Sequence, residues 1–264
     1  MKTLKVAGGP LAYDVRGEGP AVLFLHAFPL GLVMWDGEAR VLEATHQVIR
    51  FDCRGFGASP PGDGLLTMER IADDAVALLD HLGIGRAVVC GLSMGGYAAF
   101  AMARRHADRL KGLVLADTRA GADNEEGRRN RAALAEKVRQ EGAAAAADAF
   151  VPKLLGETTH RERPEVEARI RGIILETSPR GIVDALAGLA ARADSTPTLR
   201  EIRVPTLVLC GDEDTLTPVA ESRAMNEAIA GSRLEVLPRA GHLANLEDPS
   251  GFQQALKTFL SGLA

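Results

Sequence analysis

Apolar residues fall along the chain in short runs, most of them unbroken: Leu11–Val15, Val22–Leu25, Val48–Phe51, Ala87–Cys90 and Leu113–Ala116. A strand with one wet face alternates apolar and polar residues. An unbroken Val, Leu and Ile run has no wet face and predicts a strand covered on both sides, as in a parallel sheet. Helical patterns separate the runs. Ile71, Ala75, Leu78 and Leu82 share one helical face and Gly83 follows as a stop signal, while Met94 to Arg105 predicts a second helix built of small residues. Strand, helix, strand, helix is the rhythm of an α/β doubly wound sheet.

The rhythm breaks over 118–197, where no convincing strand occurs. Helix faces appear instead, with Val166, Ile170, Ile173 and Ile174 on one and Ile182, Leu186 and Leu189 on another. Ser178-Pro179 supplies an N-cap and first-turn pair for the second. Gly121 to Arg131 is polar and reads as loop or helix start, and Ala143 to Ala147 is helical by propensity alone. Strands resume at Thr206–Cys210 and Leu234–Leu237, Thr217-Pro218 opens a helix, and Asp248-Pro249 opens a last one that buries Phe252, Leu256, Phe259 and Leu260. The expected organisation is an α/β core formed by 1–117 and 198–264, interrupted by an all-helical insertion over 118–197.

Charge and composition narrow the partners. The net charge is -4 and aromatics are 4%, so there is neither a basic surplus for a phosphate backbone nor a supply of rings to stack bases. No nucleic-acid partner is expected. The longest apolar stretch, Val22 to Trp35, is interrupted by His26 and Pro29 and is too short to span a bilayer. Lys5, Gly8 and Gly9 break up the amino terminus, which leaves no secretory apolar core, so a cytoplasmic protein without a membrane partner is expected. Cys53, Cys90 and Cys210 are odd in number and far apart, with no Cys-x-x-Cys pair. They read as small buried hydrophobes rather than as a disulfide framework or a zinc site.

The chemistry centres on Gly91-Leu92-Ser93-Met94-Gly95, where a strand run ends and a helix begins. A serine on so tight a turn is forced into a strained backbone conformation and projects its hydroxyl from the sheet edge. The residues two positions either side must be small, because the turn brings their backbones together. A serine hydroxyl near neutral pH needs a base, and the base needs an orienting carboxylate. Of the histidines after Ser93, His106 ends a basic helix and His160 lies in a charged part of the insertion. His242, in Ala240-Gly241-His242-Leu243, follows a strand at the same sheet end as Ser93. Asp214, Asp212 and Asp117 all follow strands and can reach that rim. Asp214 is favoured as the acid, with Asp212 as a loop-structuring acceptor.

With these residues in view the chain resembles the α/β-hydrolase family, and within it the cofactor-free esterase, enol-lactonase and perhydrolase branch. The resemblance rests on five segments in order: His26-Ala27-Phe28-Pro29, Asp52-Cys53-Arg54-Gly55-Phe56-Gly57-Ala58-Ser59, Gly91 to Gly96, Gly211 to Asp214 with Thr217-Pro218, and Gly241-His242. It implies Ser93 as nucleophile, Asp214 as acid and His242 as base. It also implies an oxyanion hole formed by the backbone N–H groups of Met94 and Phe28, and a cap over the site formed by 118–197. Ala27 stands where the family commonly has glycine, and Pro29 resembles the proline of perhydrolase and some esterase members.

His26, Asp52 and Arg54 are expected to hold their loops. Arg119, at the start of the insertion, is expected to be solvated, with contact to a substrate carboxylate as the alternative. Trp35 and Tyr97 fit either the pocket or the core. The function expected is a serine hydrolase that cleaves a small carboxylic ester without metal or organic cofactor. The alternative is a lactonase or 3-oxoadipate enol-lactonase-like hydrolase, with perhydrolase side activity. A ligand-binding module that reuses the fold is disfavoured, because binding needs no nucleophile.

Overall fold

The unbroken apolar runs become the middle of one eight-stranded sheet in the computed structural model, which describes residues 1–263. The strands are β1 (Lys2–Val6), β2 (Gly9–Arg16), β3 (Ala21–Leu25), β4 (Gln47–Phe51), β5 (Ala87–Leu92), β6 (Leu110–Ala116), β7 (Thr206–Gly211) and β8 (Arg233–Leu237). Their order is β1-β2-β4-β3-β5-β6-β7-β8. β2 pairs antiparallel with β1 and β4, and the remaining pairs are parallel. Every residue of β3, β5 and β7 is buried, which is why those strands do not alternate. β1 has no apolar run because it is an exposed edge strand, Lys2 to Val6, held by its hairpin to β2.

Helices cover both faces. Those of the first half are α1 (Asp36–Leu42), α2 (Met68–His81) and α3 (Met94–Arg105). The segment between β6 and β7 holds six more: α4 (Glu125–Glu141), α5 (Ala143–Leu154), α6 (Glu157–Glu162), α7 (Pro164–Leu175), α8 (Pro179–Ala190) and α9 (Thr196–Leu199). After β7 come α10 (Val219–Ala228), α11 (Ala244–Glu247) and α12 (Pro249–Ser261). This is an α/β-hydrolase fold, a mostly parallel sheet with a helical insertion. Among the described residues, no helix is long and apolar enough to cross a membrane.

The polar stretch from Gly121 to Arg131 turns out to enter a long helix. Asn124 caps α4 by accepting the Gly127 N–H at 2.8 Å, and Glu125 and Glu126 follow in the first turn, where the helix dipole favours acids. The insertion is tied to the loops that follow the last two strands. Glu213 accepts from the Thr158 N–H at 2.8 Å and from its hydroxyl at 2.5 Å, and Glu247 accepts from the Gly156 N–H at 2.7 Å.

Trp35 belongs to the core, with its ring centroid 4.9 Å from that of Phe24 and 5.9 Å from that of Phe252. Near it, Glu38 is buried against the Asn245 and Gln253 side-chain amides. Burial pushes its carboxyl up to about 7, against the hydrogen bonds that would lower it. Between its ordinary value and about 7 the folded protein holds a proton that the unfolded chain has released. Stability therefore falls as pH rises through that window and levels off above it. Glu38→Gln is expected to remove this slope and to stabilise the fold at pH 8 by ~3 kcal/mol. Denaturant unfolding of both proteins from pH 4 to pH 8 checks this, and parallel curves would refute it.

Candidate active site

Ser93 joins β5 to α3 with φ 53° and ψ −111°. Its neighbours explain how the turn closes. A Cβ on Gly91 would lie 2.2 Å from the Gly95 carbonyl oxygen, and one on Gly95 would lie 2.1 Å from that of Leu25. No side chain fits at either position. The Ser93 N–H donates to the Ala116 carbonyl at 3.0 Å, and the Thr118 hydroxyl donates to the Ser93 carbonyl at 3.0 Å. The strained residue is thus tied to the end of β6, and its side chain is left free to project from the sheet edge.

The loop after β8 brings His242 over that hydroxyl. His242 Nε2 lies 2.8 Å from Ser93 Oγ, and its Nδ1 lies 2.8 Å from Asp214 Oδ2. The carboxylate is fully used. Asp214 Oδ1 accepts from the Leu216 and Thr217 N–H groups at 2.8 and 2.9 Å, and Oδ2 also accepts from the Thr217 hydroxyl at 2.5 Å. Burial alone would raise this carboxyl. The His242 charge and hydrogen bond and the Thr217 donors outweigh that and hold it below the usual carboxylate range. An ionised Asp214 accepting the Nδ1 proton leaves Nε2 with its lone pair toward the serine, the tautomer that a base requires.

The other candidate acids do different things. Asp212 accepts the Arg239 N–H at 2.6 Å and shapes its loop. Asp117 is fully buried and accepts the Gly211 N–H at 2.9 Å. Burial and then the charge of Asp214 push its carboxyl well above the usual carboxylate range. His26 is a loop anchor: its Nδ1 sits 3.0 Å from the Ala27 carbonyl, and its Nε2 accepts the Cys53 N–H at 3.0 Å. Asp52 accepts from the Leu32 and Ala58 N–H groups, and Arg54 is paired with buried Asp74 at 2.6 Å. His106 pairs with Asp73 and His160 with Glu167.

Two residues of the cavity wall carry backbone N–H groups with no partner among the described residues. Met94 is the first residue of α3, where an N–H has no intrahelical partner. Phe28 lies in the loop after β3 at the point where the strand order reverses, which is where ligands bind in open α/β sheets. Within the described residues neither N–H donates to another group. A cavity of about 110 Å³ opens beside Ser93 and His242, with Phe28, Tyr97, Phe150 and Leu154 among its walls. Tyr97 thus lines the pocket, whereas Trp35 does not. Phe150 and Leu154 come from α5, so the insertion closes over the site.

Arg119 departs from the solvated state expected of it. It is about a third exposed, lines the cavity and pairs with Asp123 at 2.9 Å. Arg131 lines the cavity as well, and sequence reasoning missed it. Both lie in polar stretches where nothing in the pattern distinguishes an inward arginine from an outward one. Among the described residues, no group of three or more His, Cys, Asp or Glu side chains is arranged to hold a metal ion.

Residues 20–249 match the alpha/beta hydrolase fold family. The 3-oxoadipate enol-lactonase 2 of Acinetobacter baylyi is 31% identical over 98% of this chain and 96% of its own. Among solved structures, a thermophilic esterase from Thermogutta terrifontis, with malate bound, is 42% identical with a TM-score of 0.97, covering 100% of this chain and 99% of that one. The enol-lactonase from Burkholderia xenovorans is 34% identical with a TM-score of 0.92, covering 98% and 100%.

Proposed function

Because this chain belongs to the α/β-hydrolase family, and because its serine hydroxyl already touches an oriented imidazole, we propose that it is a serine hydrolase of small carboxylic esters acting through an acyl-enzyme. The observation that carries this is the continuous contact from Ser93 Oγ through His242 to Asp214, 2.8 Å at each step.

Ser93 Oγ attacks the ester carbonyl carbon as its proton passes to His242 Nε2. The carbonyl oxygen takes the negative charge and is held by the Met94 and Phe28 N–H groups. Such donors are fixed in place before the charge appears, so they stabilise the transition state more than the ground state. The tetrahedral species collapses: the bond to the alkoxy oxygen breaks, and His242 returns the proton to the departing alcohol. Water then attacks the acyl carbon, giving its proton to His242, and the acid leaves as Ser93 regains its hydrogen. Asp214 stays ionised throughout and stabilises the imidazolium. The 118–197 helices act as a cap that limits acyl size and excludes water. With hydrogen peroxide in place of water in the second half, the same acyl-enzyme yields a peracid, which is the perhydrolase side activity.

A lactone is the second substrate class, favoured by the enol-lactonase relatives at 31% and 34% identity. Its chemistry differs only in that the alcohol stays tethered to the acyl group. A pH-stat panel of linear esters from acetate upward, set beside five-membered lactones, separates the two. Highest kcat/KM for acetate to butyrate esters is the expected result. Turnover of lactones alone would move the assignment to the second class, and turnover of neither would remove the proposal.

A further inference from the structure

Beside the small cavity at Ser93 lies a larger space that the chemistry does not use. It is a groove of about 300 Å³ with the apolar side chains of Leu134, Ala149 and Leu186 on its walls. Asn130 and Lys153, both exposed, bring it to the protein surface. Arg119, Arg131, Phe150 and Leu216 stand in the walls of both spaces, so the two adjoin along these residues. Helix α5 shows how they are kept apart. Side chains four positions apart on a helix lie one above the other. Phe150 and Leu154 line the cavity, whereas Ala149 and Lys153, each one position earlier, line the groove. Phe150 sits at the edge between these two faces and belongs to both.

The shared residues are held in different ways. Arg119 and Arg131 are pinned to buried Asp123, which also pairs with Arg192 at 2.7 Å. Leu216 is anchored through its backbone, its N–H donating to Asp214 Oδ1 at 2.8 Å. Phe150 is partly buried and packs its ring against that of Phe28, with centroids 5.1 Å apart and planes at 74°. Phe28 packs in turn on the fully buried Phe56, with centroids 6.1 Å apart. A row of three rings thus runs out from the core and ends, at Phe150, between the cavity and the groove. Edge-to-face contacts of this kind hold a ring in place. A phenyl ring and a leucine methyl offer a substrate no hydrogen bond and no charge, so what Phe150 and Leu216 contribute is shape. The cavity holds about 110 Å³. An apolar cavity of about 150 Å³ takes up one benzene. A short ester therefore fits beside Ser93, and a longer chain has to leave for the adjoining groove.

We propose that Phe150, with Leu216 as the second apolar residue of the shared wall, sets the chain length of the substrate: its ring keeps the cavity apart from the groove and restricts the site to short-chain esters. This rests on the ester-cleavage role of Ser93. Removing the ring joins the two spaces, and a straight alkyl chain then runs past Leu216 along Leu134, Ala149 and Leu186. Each methylene that passes from water to such a wall gains about fourfold in binding.

The test measures kcat/KM for ethyl esters of straight-chain acids from acetate to octanoate, beside acetates of straight-chain alcohols from ethyl to octyl. For the wild-type protein both series are expected to peak at or before the butyl length and to fall beyond it. In Phe150→Ala the ratio of the octyl to the butyl length is expected to rise by about tenfold or more in one series, mostly through KM. The series that moves identifies whether the acyl or the alcohol chain enters the groove. Phe150→Trp should shift the peak toward acetate. Leu216→Ala keeps the backbone donor to Asp214 and should raise the same ratio several-fold, which covers a Phe150→Ala protein that does not fold. A merely structural role for Phe150 would lower every chain length alike. Calorimetric binding of ethyl hexanoate to Ser93→Ala needs no turnover, and adding Phe150→Ala is expected to tighten it by about tenfold. An unchanged ratio in both series, in folded variants that cleave the butyl length, would overturn the gate. So would a wild-type protein that takes the octyl length as well as the butyl, or equal hexanoate binding with and without the ring. Cleavage of no ester at all, with Ser93 inert to a fluorophosphonate, would remove the hydrolase proposal, and the calorimetry would still decide the gate.

Discussion

Ser93→Ala is expected to lower ester turnover by about 10⁴- to 10⁶-fold while leaving the protein folded. The size follows from the relay acting as one unit. Without Oγ the imidazole has no proton to take, and no covalent intermediate forms. The fold is expected to survive because the Ser93 hydroxyl makes one hydrogen bond among the described residues, to His242 Nε2, whereas the turn is held by backbone groups and by Gly91 and Gly95. Hydrolysis of p-nitrophenyl acetate and a thermal melt, run side by side, check both halves. A variant with full activity would end the serine-hydrolase proposal.

Asp214→Asn is expected to cost about 10³- to 10⁴-fold in kcat. The acidic oxygens accept from two backbone N–H groups, the Thr217 hydroxyl and the imidazole. An amide at that position turns one of these acceptors into a donor and favours the wrong imidazole tautomer. The pH sign follows from the same contacts. His242 and the Thr217 donors hold the Asp214 carboxyl below its ordinary range against the effect of burial, so the acceptor is lost only at acid pH below that lowered value. Asp117 is the control. It sits at the end of the neighbouring strand, its carboxyl is pushed up by burial and by Asp214, and it accepts from Gly211 rather than from the imidazole. Asp117→Asn is expected to lower kcat by less than about tenfold, since an amide oxygen can still accept the Gly211 N–H. Equal losses in the two variants would show that the acid had been misassigned.

What could be read from the chain, and what could not, follows from where each feature stores its information. The β3, β5 and β7 strands are buried on both faces, so each leaves an unbroken apolar run. The turn at Ser93 is legible because its geometry forbids side chains at Gly91 and Gly95, a local demand written in five consecutive residues. β1 left little trace, being an exposed hairpin strand. Helix α4 was half-hidden for a related reason: of its seventeen residues only Ala135 and Val138 are buried, too few to make a periodic stripe. The Asp123 cluster was invisible because its members come from the loop after β6, from α4 and from the end of α8, and no spacing announces that three arginines converge on one acid. Arg119, expected in solvent, was drawn into the cavity wall by that acid. Glu38 escaped notice in the same way, since its burial depends on α11 and α12 at the far end of the chain.

The central claim is that His242 and Asp214 make the Ser93 hydroxyl a nucleophile. Its most direct measurement is treatment of the wild-type protein with a fluorophosphonate probe, followed by proteolysis and mass spectrometry of the labelled peptide. One adduct is predicted, on the Ser93 side chain, forming far more slowly in His242→Ala. No adduct, or an adduct on a different residue, would contradict it.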